Sequence, residues 1–168
     1  EHVVAHYSDG IGADTPLGFS MYAQRIRNPL NCGTLTFGVM GTGSLAVPGE
    51  VDCFVLAAAN SDLLRLVQAE SATRREVRVF NPNGSGGCTD ATFVTVGDFC
   101  TESWGNAALV LVQDKVAKSG PYAMWPVRTN NPVDCAPIAY GVTATSTWTS
   151  RSDVDCYRVD AARLDTLR

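Results

Sequence analysis

At 168 residues with a formal charge of -4 and a pI near 5.0, the chain is long enough for one packed domain or slightly more, and it lacks the basic footprint of a nucleic-acid binder. Lys and Arg are scattered, with Arg74-Arg75 the only adjacent pair, and no run approaches the roughly 20 apolar residues that span a bilayer. The opening EHVVAHYSDG lacks the basic start and apolar middle of a signal peptide, so an export signal is expected upstream or already removed, with Glu1 an internal or processed start.

In chain order, FSMYAQR from Phe19 returns as YAMWPVR from Tyr122. NPLNCGTLTFG from Asn28 returns as NPVDCAPIAYG from Asn131, and VDCFVL from Val51 returns as VDCYRV from Val154. Each match lies at one shift: Cys156 minus Cys53 is 103, Cys135 minus Cys32 is 103, and Asp62 falls on Asp165. This is an internal repeat, which must be recognised before a fold is assigned. Residues 33–135 are expected to form one complete repeat. Residues 1–32 then read as the C-terminal strands of a preceding incomplete repeat, and residues 136–168 as the N-terminal strands of a following one.

The unit reads as strand throughout. TLTFGV, DCFVLAA, REVRVFNP, ATFVTV, AALVLVQ, YAMWPV and PIAYGVTA are short runs rich in Val, Thr, Phe and Tyr, bounded by Gly, Pro, Asn or Ser. One stretch dissents: SDLLRLVQAESA, from Ser61 to Ala72, has Leu63, Leu66 and Val67 at helical spacing after a capping residue, while its start LLRLV equally suits a buried strand. The expected class is all-β, an antiparallel β-sandwich module of jelly-roll type in a tandem repeat.

The six cysteines follow the repeat. Cys32 and Cys53 recur together as Cys135 and Cys156, so the economical pairing is Cys32 to Cys53 and Cys135 to Cys156, leaving Cys88 and Cys100 in the region that occurs once. Loops of this length make each bridge worth roughly 3 kcal/mol. Persistent bridges place the chain outside the cytosol, extracellular or at a cell surface. The metal alternative has no C-x-x-C pair behind it, and His2 and His6 are the only histidines.

Strand alternation assigns faces. In VDCFVL, Asp52, Phe54 and Leu56 share one face, and Val51, Cys53 and Val55 the other; Arg158, at the position of Val55, marks the cysteine face as the wetter one. Asp52 and Asp155 then stand at the mouth of the core, where a carboxylate fixes a turn or, as the weaker expectation, binds calcium; no other cofactor is expected. In the closing strand Tyr122 and Met124 face the core, with Phe19 and Met21 as counterparts. Tyr22 and Trp125 therefore face outward, as contact aromatics for a neighbouring module or ligand or resting on their own loops.

Catalysis is not expected. Neither G-x-S-x-G nor H-E-x-x-H occurs, no carboxylate pair stands in a recognisable constellation, and Asp90, Asp98, Glu102 and Asp114 read as solvated loop charges.

Three motifs in order resemble the bacterial pre-peptidase C-terminal domains. The first is Asp52-Cys53-Phe54 with Leu56, repeated as Asp155-Cys156-Tyr157 with Val159. The second is VRVFNPNGS around Asn81, Pro82 and Gly84, and the third is SGPYAMWPV through Gly120 and Tyr122. The cysteine in the first motif and the loop from Gly86 to Gly105 depart from the family's pattern. The resemblance implies a β-sandwich found beside catalytic domains in secreted proteases and collagenases, some members binding collagen or polysaccharide and some using calcium. Two roles are expected: a structural or adhesive module in a longer array or filament, with neighbouring copies as partners, or an accessory domain holding a secreted hydrolase on collagen, glycan or cell wall. Residues 1–32 and 136–168 together lack the counterpart of roughly Leu66 to Asp98, which favours the longer array over simple head-to-tail completion.

Overall fold

The computed structural model describes residues 22, 23, 25, 27–68, 75–81, 105–114, 118–147 and 155–162, and the backbone of 87–88 and 100–101. The strands are β1 (Gly33–Leu35), β2 (Gly41–Leu45), β3 (Val51–Leu56), β4 (Leu63–Gln68), β5 (Arg75–Phe80), β6 (Gly87–Cys88), β7 (Cys100–Thr101), β8 (Ala108–Asp114), β9 (Gly120–Arg128), β10 (Ala136–Pro137) and β11 (Tyr157–Arg158). No helix occurs among the described residues.

Two sheets face each other. One runs β1-β3-β8-β5-β6 and the other β2-β9-β4-β7, while β10 and β11 form a separate pair. All pairings within the two large sheets are antiparallel except β1 with β3. Parallel neighbours need a crossover, and β2 supplies it from the opposite sheet.

The core lies between the sheets and follows period-two alternation. Leu35, Leu56, Val77, Val79, Ala108, Val110 and Val112 come from the first sheet; Leu45, Leu64, Leu66, Tyr122 and Met124 come from the second. Strand β8 is apolar on both faces because Leu109 and Leu111 join Cys53 in a second, smaller cluster on the outer side, with Cys32, Val51 and Phe80 against it. The cysteine face is therefore drier than Arg158 implies: Cys53 is buried there.

The ambiguous LLRLVQ segment is a strand. Leu64 and Leu66 are buried and Leu63, Arg65 and Val67 are not, which is period two and not 3.6. The residues read as a helix cap make a turn instead. Ser61 takes a left-handed backbone (φ 71°), Asp62 N donates to Ala59 O at 3.1 Å, and Ala59 N donates to Asp62 Oδ2 at 2.8 Å.

Strand β2, GTGSL, is absent from the sequence reading. Its glycines permit close packing: a side chain at Gly41 would collide with Leu35, and one at Gly43 with the Tyr122 ring.

Candidate functional site

The repeated phrase lies where β3 meets β9. Alternation places Asp52, Phe54 and Leu56 on the inner face, and the register of β3 against β8 fixes them opposite Val112, Val110 and Ala108. From the facing sheet Tyr122 reaches over. Its ring meets Phe54 edge-on at 6.4 Å between centroids, and its hydroxyl donates to Asp52 Oδ2 at 2.5 Å. Burial, the bond to Asp52, and the nearby charges of Asp52 and Glu50 hold the Tyr122 phenol far above its ordinary range. Asp52 is thus the acceptor that lets a tyrosine hydroxyl be buried in an apolar core.

Behind this face the bridges close as the repeat requires. Cys32 is bonded to Cys53 with Cα atoms 4.8 Å apart, and Cys135 to Cys156 at 4.6 Å. The residue before each first cysteine is left-handed, Asn31 at φ 57° and Asp134 at φ 58°, the region Asn and Asp tolerate best. Strand β1 pairs parallel with β3, Gly33 opposite Phe54 and Thr34 opposite Val55. Strand β10 pairs parallel with β11, Ala136 opposite Tyr157 and Pro137 opposite Arg158. Adding 103 to each member of the first set gives the second.

The turn after each first strand also recurs. Val39 N donates to Thr36 O at 3.2 Å with Gly38 at φ 76°, and Val142 N donates to Ala139 O at 3.3 Å with Gly141 at φ 73°. A residue at the third position of such a turn needs positive φ, which explains glycine in both copies.

What surrounds the two copies differs. Around the first, Gly38 N donates to Pro126 O at 3.0 Å, and Arg128 stacks over Phe37 at 5.3 Å. Val133 packs on the core. Around the second, Tyr140, Val142 and Tyr157 are exposed.

A buried charge cluster beside Asp52 and Tyr122, at the same end of the sheet, was not legible as such in the sequence. Arg75 and Asp114 are direct partners across β5 and β8 on the inner face, with Arg75 Nη1 2.6 Å from Asp114 Oδ2 and both side chains sealed from solvent. Arg75 also donates to Lys118 O at 2.8 Å and Gly120 O at 2.9 Å, and Lys118 N donates to Asp114 Oδ1 at 3.0 Å. The cluster ties β5 and β8 to the connection into β9. Asp114 is therefore no solvated loop charge. The signal was parity: Arg75 shares a face with Val77 and Val79, Asp114 with Val110 and Val112.

Other expected site residues fare differently. Trp125 turns away from the core cluster and is only 8% exposed, which accords with the second of the two expectations, a side chain resting on its own domain. Tyr22 is half-buried. Asp52 spends one oxygen on Tyr122, and Glu50 accepts from Ala46 N and Val47 N in the β2–β3 turn. No group of three His, Cys, Asp or Glu side chains gathers among the described residues. Asp155 is exposed beside its bridge. The side chains of Cys88 and Cys100, the turn after Asn81, and Asp90, Asp98, Glu102, His2 and His6 lie outside the described residues.

No family model matches the sequence, and no curated protein matches it. Among solved structures the fold is similar to the pre-peptidase C-terminal domain of collagenase from Bacillus anthracis, at 10% identity and a TM-score of 0.47, covering 60% of this chain and 98% of that one. It is also similar to PliG of Salmonella Typhimurium, a periplasmic lysozyme inhibitor of g-type lysozyme, at 9% identity and a TM-score of 0.42, covering 56% and 98%. Likenesses at this identity concern the fold alone. The first of them is to the family that the motifs resemble.

Proposed function

We propose that this chain is a non-catalytic extracellular module with a structural or adhesive role, one unit and parts of its neighbours in a serial array. The observation that carries the reading is the second head. Residues 134–142 and 156–158 match residues 31–39 and 53–55 in strand register and bridge, which supports reading them as the start of a second unit. Bridges tying both heads suit an oxidising compartment. The buried carboxylates support a non-catalytic role, because each is occupied by structure: Asp114 holds Arg75, Asp62 holds the turn before β4, and Glu76 accepts from Arg78 at 2.8 Å and Gln113 at 2.8 Å. Residues 33–135 are the unit in this reading.

The motif resemblance favours a second reading, an accessory domain that holds a secreted hydrolase on collagen, glycan or cell wall. Sedimentation with insoluble collagen, chitin and peptidoglycan separates the two: an array module stays in the supernatant, and an accessory domain follows one polymer into the pellet. Peptide mapping of the protein from its source checks the array directly. Further copies at the 103-residue period are expected, and a source protein with none contradicts the array.

A further inference from the structure

Residues 129–134, TNNPVD, join the end of β9 to Cys135, and so join the complete unit to the second head. Relative motion is the ordinary state of modules joined by a short segment, and a segment free to swivel is rich in Gly and Ser. This one contains neither, and each of its positions is tied or restricted. Thr129 N donates to Leu63 O at 3.0 Å. Asn130 Oδ1 accepts from Leu63 N at 3.0 Å while Asn130 Nδ2 donates to Ser61 O at 2.9 Å, so one side chain clasps the turn before β4 by both of its polar atoms. Asn131 O accepts from Arg128 Nε at 2.7 Å, and the ring of Pro132 fixes its own φ. Val133 packs on the core, and Asp134, left-handed at φ 58°, lies against the turn that carries Gly38.

The seat for this segment belongs to the complete unit. Gly38 N donates to Pro126 O at 3.0 Å, and a side chain on Gly38 would begin 3.1 Å from Val133 O and 3.2 Å from Asp134 Cβ, so the turn and the segment are in direct contact. Arg128 ties this seat to the turn before β4. Its guanidinium lies over Phe37 at 5.3 Å, and Nη1 is 3.6 Å from Asp62 Oδ2, the oxygen that also accepts from Ala59 N. On the far side, Asp134 leads directly into Cys135, whose bridge to Cys156 and whose following strand β10, paired with β11, hold the head together. Fixing Asp134 therefore fixes the entry to the head.

We propose that residues 128–134 form a rigid coupling through which the complete unit sets the direction of the second head. This rests on the modular reading above. The seat is the pair of turns at Phe37–Gly38 and Ala59–Leu63, and the partner it takes is the lead-in of the next unit of the same chain. Three of the bonds run to backbone atoms of Ser61 and Leu63, next to and within β4, so the head cannot change direction without breaking contacts to the sandwich itself. A serial array with such couplings is a stiff rod whose course follows from the rotation at each joint, and not a string of swivelling beads.

Residual dipolar couplings on the full chain test the coupling. In the parent, the amides of β3, β8 and the β10–β11 head are expected to fit one alignment frame. Arg128→Met with Asn130→Ala removes the tie and the clasp; β3 and β8 then keep their frame while the couplings of the head shrink and depart from it. Asn130→Ala alone, at an exposed position, is expected to raise amide exchange at Thr129 about tenfold relative to β8, and Asn130→Asp, which keeps the acceptor for Leu63 N, to raise it less. A parent whose head needs a second frame, a double variant whose head stays in the first, or unchanged exchange at Thr129 in Asn130→Ala overturns the proposal. A swivelling head alongside further 103-residue copies in the source protein leaves the array reading intact as a flexible chain, whereas one frame with no further copies keeps the coupling and removes the array.

Discussion

Arg75 and Asp114 show what a single buried charge does to this sheet. With both side chains sealed from solvent, removing one leaves the other stranded, a loss of about 3–5 kcal/mol, whereas replacing both by apolar residues of similar size is close to neutral. Arg75→Met is therefore expected to lower the denaturant midpoint severely, and Arg75→Met with Asp114→Leu to recover most of it. Equal losses in the single and double variants would mean that the guanidinium bonds to Lys118 O and Gly120 O carry the stability instead. Tyr122 makes a second prediction. Its phenol pKa is raised on folding, so the folded state keeps the proton longer than the unfolded chain does, and stability present below the ordinary tyrosine value of about 10 declines as pH rises above it. Tyr122→Phe is expected to cost about 1–2 kcal/mol near neutral pH, through the lost bond to Asp52, and to flatten the alkaline decline in a urea series.

At the scale of elements, legibility followed how many cues agreed. Strands β3, β5, β8 and β9 carried alternation, β-branched residues and flanking turns together, and they form as read. Strand β2 carried none of these, since its glycines exist for the sake of Leu35 and Tyr122, and close packing across a core leaves no local trace. Strand β4 carried two conflicting periods, and tertiary pairing with β9 selected the one that buries Leu64 and Leu66. Leu66→Ala is accordingly expected to cost about 2–5 kcal/mol and Val67→Ala under about 1 kcal/mol; comparable losses would restore the helical reading. The bridge between β1 and β3 was legible because it is written twice. Converting Cys32 and Cys53 to serine should remove roughly 3 kcal/mol. It should also raise amide exchange in β1 ahead of β8, since among the described residues β1 pairs with β3 alone.

For the whole molecule, the duplication was readable down to its bridges because one shift of 103 aligned the cysteines, the left-handed Asn31 and Asp134, and the glycine turns. The difference in surroundings between the two copies was not readable. Alternation says which way Tyr157 and Trp125 point, but only the assembled sheets show that Trp125 is covered and Tyr157 is not. The account depends on two heads with the same covalent frame, and bridge mapping on unreduced protein tests it most directly. Cleavage after Glu50 separates Cys32 from Cys53, and cleavage after Arg151 separates Cys135 from Cys156. The predicted result is two linked pairs that part only on reduction, Cys32 with Cys53 and Cys135 with Cys156. A bridge joining Cys32 to Cys135, or Cys53 to Cys156, would contradict the duplicated unit and everything argued from it.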